Sequence, residues 1–187
     1  MTDYSDLNDN VRNYTETDTN VLSDAIIKPF LESIEDQIMR SVDLTYYRKY
    51  DQATLTVGNP FLPLPGDWQN TRFIQIYNAG ASSPERTFLL QKDISFMNEY
   101  WPDRTAQATP RYYAMWDDNT HYVAPTPNVA LTCELAYTYK PDGLSSTQTS
   151  TWLSQNAPNV LLYGCILQAL GYLKGPADMI QYYDKMF

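Results

Sequence analysis

Asn159–Lys174 reads NVLLYGCILQALGYLK. Between Val160 and Leu173 only Gln168 is clearly polar, and no residue is charged. As a helix this run is roughly 21 Å long, against about 30 Å for the hydrocarbon core of a bilayer, so it does not reach across a membrane. A helix that is apolar nearly all round must be covered on most sides. One face is expected to pack on its own domain, and the rest calls for cover from another subunit. Pro158 suits a first helical turn, where its missing N–H costs little, and Gly175-Pro176 closes the far end. The helix is the expected centre of the fold.

The chain around it has 187 residues, enough for one domain with a real core or one domain with a smaller insertion. Its 43% hydrophobic and 19% charged residues are those of a globular protein. The net charge is −9 and the pI about 4.4. That argues against a protein that grips nucleic acid through its phosphates, which takes a Lys/Arg surface. It leaves room for DNA passing nearby without being held. Tyrosine is over-used, with 16 residues beside 12 prolines. A large rigid ring with one polar tip suits an interface, and it suits β-structure equally. Cys133 and Cys165 have no CxxC partner and read as small buried hydrophobes in a reducing compartment. No apolar stretch follows Met1, so neither a signal peptide nor an anchor is read.

Outward from Asn159–Lys174, both ends of the chain are helical. Tyr4, Leu7, Val11 and Tyr14 recur at spacings of three and four, the stripe of a short amphipathic helix. Val21–Val42 is a second helical stretch, in which Pro29 either starts a new helix or kinks one. Phe30/Leu31, Ile34, Ile38 and Val42 form its stripe, and Glu32, Glu35, Asp36 and Arg40 are placed on its outside. Ala177–Phe187 carries Met179/Ile180, Tyr183 and Phe187 on one face and reads as a last helix.

The middle alternates with period two. Ala53–Val57, Thr71–Tyr77, Thr87–Leu90 and Val129–Tyr139 read as strands. Arg111–Asp117 and His121–Ala124 read as a hairpin turning at Asp117-Asp118-Asn119-Thr120. Asp93 caps a short helix to Trp101. Asn59–Trp68, NPFLPLPGDW, is excluded as a helix or central strand by its prolines and is expected to be an extended arm ending in a turn at Pro65-Gly66-Asp67. Pro141–Gln155 reads as a connector. The expected fold is α+β. Terminal helices at 1–45 and 151–187 form one layer, and a central antiparallel β-rich insertion at 46–150 packs on it within a single domain, 1–187.

Catalytic chemistry is sparse. His121 is the only histidine. It flanks a turn, without the orienting carboxylate and nucleophile that a general base requires nearby in a recognisable pattern. Asp117, Asp118 and Asn119 lack the spaced ligands and distal glutamate of a calcium loop. No phosphate loop, dinucleotide fingerprint or metal-ligand cluster is present, so no catalytic, cofactor or metal residue is assigned. Trp68, Trp101, Trp116 and Trp152 leave open a monomeric carbohydrate-binding module with tryptophan platforms.

Four segments together resemble a known family: the second helix with Glu35 and Arg40; LPLPGDW (Leu62–Trp68) leading into a strand; RYYAMWDD (Arg111–Asp118) with HYVAPTPN (His121–Asn128) and YTYKP (Tyr137–Pro141); and TWLSQNAPNVLLYGCILQALGYLKG (Thr151–Gly175). In this order they are similar to the head-to-tail adaptor proteins of short-tailed bacteriophages. The resemblance implies a non-enzymatic virion protein at the neck, assembled in the host cytoplasm. Such adaptors form a homo-oligomeric ring, commonly a dodecamer, beneath the portal protein. They extend the channel for genomic DNA and carry tail or nozzle proteins, with no membrane contact. Another head-completion or tail-tube ring protein is the near alternative. Within that reading Tyr182, Tyr183, Met186 and Phe187 are expected at the portal interface, and Phe61, Leu62, Leu64 and Trp68 at a subunit or tail contact.

Overall fold

The computed structural model describes residues 3–187. In chain order the helices are α1 Tyr4–Tyr14, α2 Asp24–Ser41, α3 Ile94–Tyr100, α4 Trp152–Asn156, α5 Pro158–Tyr172 and α6 Ala177–Met186. The strands are β1 Arg48–Leu55, β2 Phe61–Pro63, β3 Trp68–Tyr77, β4 Thr87–Gln91, β5 Gln107–Ala108, β6 Tyr112–Asp117, β7 Thr120–Ala124, β8 Thr126–Pro127 and β9 Leu131–Tyr139. The chain divides into two compact units. One is made by the chain up to Leu44 together with Asp142–Phe187, and the other is Thr45–Pro141. The class is α+β, with helices at both ends and a mostly antiparallel sheet between them in sequence.

In the helical unit α5 is the hub, and α1, α2, α4 and α6 all pack on it. Leu161, Cys165, Ile166, Ala169 and Leu170 of α5 meet Leu7 and Val11 of α1, Ile27, Leu31 and Ile34 of α2, Leu153 of α4 and Tyr183 of α6 in one buried cluster. Full burial of a Leu or Ile side chain contributes about 1.5–3 kcal/mol. The apolar helix therefore takes most of its cover from its own unit, and its composition does not by itself require a second subunit. Gly164 permits the tightest contact: a Cβ there would lie 2.8–3.0 Å from three side-chain atoms of Ile34.

Several local readings are corrected in this unit. Helix α2 runs from Asp24 to Ser41 with Pro29 inside it, so no new helix starts at that proline. Glu35, placed outside by periodicity, is buried and accepts the Leu144 backbone N–H. Part of the connector is the short helix α4, whose Thr151 and Ser154 form a reciprocal capping box. Tyr14, at the end of the α1 stripe, is half exposed.

In the other unit the seven-stranded sheet has the order β1-β9-β3-β4-β6-β7-β2. All its pairs are antiparallel except β4 with β6. That parallel pair needs a crossover, and the segment containing α3 supplies it. Strands β1 and β2, the two ends of the order, also approach one another, so the sheet curls towards a partly open barrel. Pro60, Pro63 and Pro65 have no N–H to donate, which suits β2 to the unpaired side of an edge. The expected extended arm is thus the edge strand β2, paired Phe61↔Tyr122 and Leu62↔His121, and its turn forms as read, with Trp68 N–H donating to Pro65 O at 3.0 Å.

The long strand β9 lies between β1 and β3. Its Leu131, Cys133, Leu135 and Tyr137 point into one core with Leu55, Leu62, Ile74, Ile76, Leu89 and Val123. A second cluster joins Met97 of α3 to Ala114, Tyr122 and Ala124 of the β6–β7 hairpin.

Candidate interaction surfaces

The C-terminal end is amphipathic. On α6, Tyr183 is buried against the helical core, while Phe187 is half-buried beside it. Met179, Tyr182 and Met186 face solvent, with Tyr182 56% exposed. Their spacing of three and four places them on one side of the helix. Two of the four C-terminal residues named from sequence are therefore presented outward and two are held by the subunit itself.

The Asn59–Trp68 segment is similarly divided. Leu62 is buried in the β core. Phe61 is half-buried between Trp116 and Tyr122, with ring centroids at 5.4 and 5.9 Å. Leu64 and Trp68 are half-buried at the rim of that core. Asp67 fixes the turn: Lys49 Nζ donates to one oxygen at 2.5 Å and Tyr137 Oη to the other at 3.0 Å. The bond from Lys49 holds Asp67 below its usual carboxylate range. Burial, reinforced by the Asp67 carboxylate, pushes the Tyr137 phenol up to about 12.

His121 is placed inside the β unit, not at a surface. Its Nε2 lies 2.7 Å from Thr71 Oγ1, and it packs against the rings of Trp68 and Tyr113. Burial lowers its pKa to about 4, so the ring is neutral at pH 7. The Asp117–Thr120 turn closes through Asn119 N–H donating to Asp117 Oδ1 at 2.9 Å, the bond of a polar turn. The four tryptophans serve separate contacts. Trp68 borders the barrel core, Trp101 borders the α3 cluster, Trp116 meets Phe61 and Tyr122, and Trp152 joins the helical core. Among the described residues no group of three or more His, Cys, Asp or Glu side chains is arranged to hold a metal, and no helix is long and apolar enough to cross a membrane.

Two features were missed by the pattern of residues. The first is the distribution of charge. Five Lys/Arg and thirteen Asp/Glu fall in the helical unit, a net of −8, while eight and nine fall in the β unit, a net of −1. The second is an aromatic row on the outside of the sheet, formed by Tyr50, Phe73 and Phe88. A signal for it was present: β3 and β4 are apolar at both alternating sets of positions, Ile74, Ile76 and Leu89 on one and Phe73, Phe88 and Leu90 on the other.

No curated protein matches the chain. The model of the SU10 adaptor protein family does so over residues 2–187, nearly the whole length. The segment order read from the sequence and this match agree, and the chain belongs to the SU10 adaptor protein family, head-to-tail adaptors of short-tailed phages.

Proposed function

We propose that the chain, acting over 1–187 as one adaptor domain, forms a ring, most simply a dodecamer, under the portal protein. The ring extends the DNA channel and attaches tail or nozzle proteins at the virion neck, after assembly in the host cytoplasm. The observation that carries this reading is the family match across residues 2–187. The role is structural, without catalysis or a cofactor. The enclosed, neutral position of His121 suits packing better than proton transfer.

Charge supports the channel role. A wall that DNA must slide along works best when it does not bind phosphate. The chain supplies such a wall chiefly through the −8 of its helical unit. Portal docking is assigned to the exposed Tyr182 and Met186 of α6, with Tyr183 and Phe187 anchoring that end from the subunit side. Phe61, Leu64 and Trp68 are assigned to a subunit or tail contact, with Leu62 as their internal anchor.

The test is co-sedimentation with purified portal rings in a density gradient. The wild-type chain should travel with the portal, and Tyr182→Ser with Met186→Ser should remove it from that fraction while leaving its far-UV circular dichroism unchanged. A wild-type chain that never enters the portal fraction contradicts the adaptor reading. A double variant that still enters it contradicts the docking assignment alone.

A further inference from the structure

Helix α1 carries a second stripe. Tyr4, Leu7 and Val11 enter the helical core. Ser5, Asn8, Asp9 and Arg12 recur at the same spacings of three and four and share another side of the helix. Together with Ser23 and Asp24, where α2 begins, they line a pocket of about 510 Å³, a size within the roughly 300–1,000 Å³ of ligand sites. The lining is polar and holds no aromatic ring. Asn8 is buried at its floor, whereas the side chains of Asp9 and Asp24 are 67% and 60% exposed at its mouth.

The charges of the pocket are satisfied among themselves. Arg12 Nε donates to Leu22 O at 2.9 Å, Nη1 to Asp9 at 2.8 Å, and Nη2 to Asp24. All three nitrogens are engaged, so the arginine is a strut that holds two carboxylates and not an available cation. Asn8 is different. Its side-chain Oδ1 and Nδ2 are both buried, and neither has a hydrogen-bond partner. A buried amide with neither half paired costs stability, and it calls for an occupant that both donates and accepts. Ser23, the N-cap of α2, also makes no side-chain cap bond, which leaves its hydroxyl to the same pocket.

We infer that this pocket receives a carboxamide side chain, glutamine or asparagine, from a partner polypeptide, paired head-to-head with the amide of Asn8. The unpaired groups select that chemistry. A carboxamide presents one acceptor oxygen and an NH₂ donor, the complement of Asn8 Nδ2 and Oδ1, and its second N–H is left for a carboxylate oxygen at the mouth. A lysine ammonium donates only, and would leave Asn8 Nδ2 unpaired. Asp9, Arg12 and Asp24 carry two negative charges and one positive, a net of −1, so a carboxylate or phosphate is repelled and finds the one cation already bonded. Sugars and bases find no ring to stack on. Two carboxylates alone do not make a metal site, and among the described residues none is formed. The pocket lies within the helical unit of one copy, so the site holds whether or not copies close into a ring.

The experiment is saturation-transfer NMR on the full-length chain, with the peptide acetyl-Gly-Gln-Gly-amide as probe. Peptides with glutamate or norleucine in the central position, and propionamide alone, are the comparisons. The glutamine peptide should give a saturable signal, and each comparison should bind at least tenfold more weakly. Asn8→Leu should abolish the signal and, because it removes an unpaired buried amide, raise the melting temperature. Asp24→Asn, which does not rely on the first variant folding, should narrow the preference for glutamine over glutamate at least threefold. A glutamine peptide without saturable signal, leaving Asn8 to an ordered water only, overturns the inference. So does equal binding of the glutamate or norleucine peptide, or an Asn8→Leu chain that binds as wild type does or melts below it. Propionamide binding as tightly as the peptide overturns the polypeptide occupant.

Discussion

The carboxylate of Glu35 accepts the backbone N–H of Leu144 through both oxygens, at 3.1 and 3.2 Å, across 109 residues of chain. Leu144 is itself buried in the helical core, and the preceding Gly143 leaves the carboxylate its space, since a Cβ there would come within 2.5 Å of Glu35 Oε2. The contact ties the segment leaving the β unit to α2, within the helical unit.

Removing this acceptor leaves a buried N–H unpaired. Glu35→Ala should therefore cost about 2–3 kcal/mol of stability, and Glu35→Gln, which keeps one acceptor oxygen, about 1 kcal/mol. Gly143→Ala should act in the same direction by displacing the carboxylate. Urea titration of the three variants checks the order. Equal midpoints for wild type and Glu35→Ala would contradict the role given to the bond.

Gly164 tests the packing of α5 on α2. Helix propensity alone predicts that Gly164→Ala stabilises by up to about 1 kcal/mol. The new methyl, however, meets a fully buried Ile34 at 2.8–3.0 Å, and overpacking of this kind costs about 1–3 kcal/mol. The melting temperature should fall, and in a double-mutant cycle with Ile34→Ala the two changes should couple favourably. A rise in melting temperature for Gly164→Ala would show that the helices separate easily at this point.

His121 sets a pH dependence. Its folded pKa is about 4 and its ordinary value 6.5, so between those values the unfolded chain binds the proton better. Its contribution to stability is complete above about pH 6.5 and is lost as pH falls to about 4, a change of about 3 kcal/mol. As the single histidine, it is the only side chain whose ordinary pKa falls in the upper part of that window. His121→Gln should flatten the stability curve between pH 6.5 and 4.5. A variant curve parallel to wild type would contradict the buried neutral ring.

The thiols report on each unit separately. Burial pushes both Cys133 and Cys165 up to about 12, with Glu134 and Glu35 respectively adding to the shift. Neither should react with an alkylating reagent at pH 8 in the folded protein, and each should become reactive when its own unit unfolds. Rapid labelling of either under native conditions would contradict its buried position.

The elements that were legible in the sequence are those whose pattern decides locally. The stripe of α1, the Asp93 cap, the β6–β7 hairpin, β9 and the Pro158 start of α5 each follow from spacing or from a capping residue. The misreadings depend on distant partners. Periodicity puts Glu35 outside because the N–H that holds it inside lies at Leu144, far along the chain. Prolines correctly excluded a central strand at Asn59–Trp68 but not an edge strand, and only the pairing with β7 separates edge strand from free arm. The composition of α5 shows that cover is needed and not that α1, α2, α4 and α6 provide it. Tyr182 and Met186, proposed for the portal contact, can be read from helical spacing as lying on one side of α6, whereas the Tyr50–Phe73–Phe88 row requires four strands, β1, β9, β3 and β4, brought into register.

The most direct measurement of the adaptor account is the solution mass of the full chain by light scattering, alone and then mixed with portal rings. The account predicts a closed ring of many copies, formed alone or on addition of the portal. A chain that remains a single copy of 21.5 kDa in both samples would contradict it.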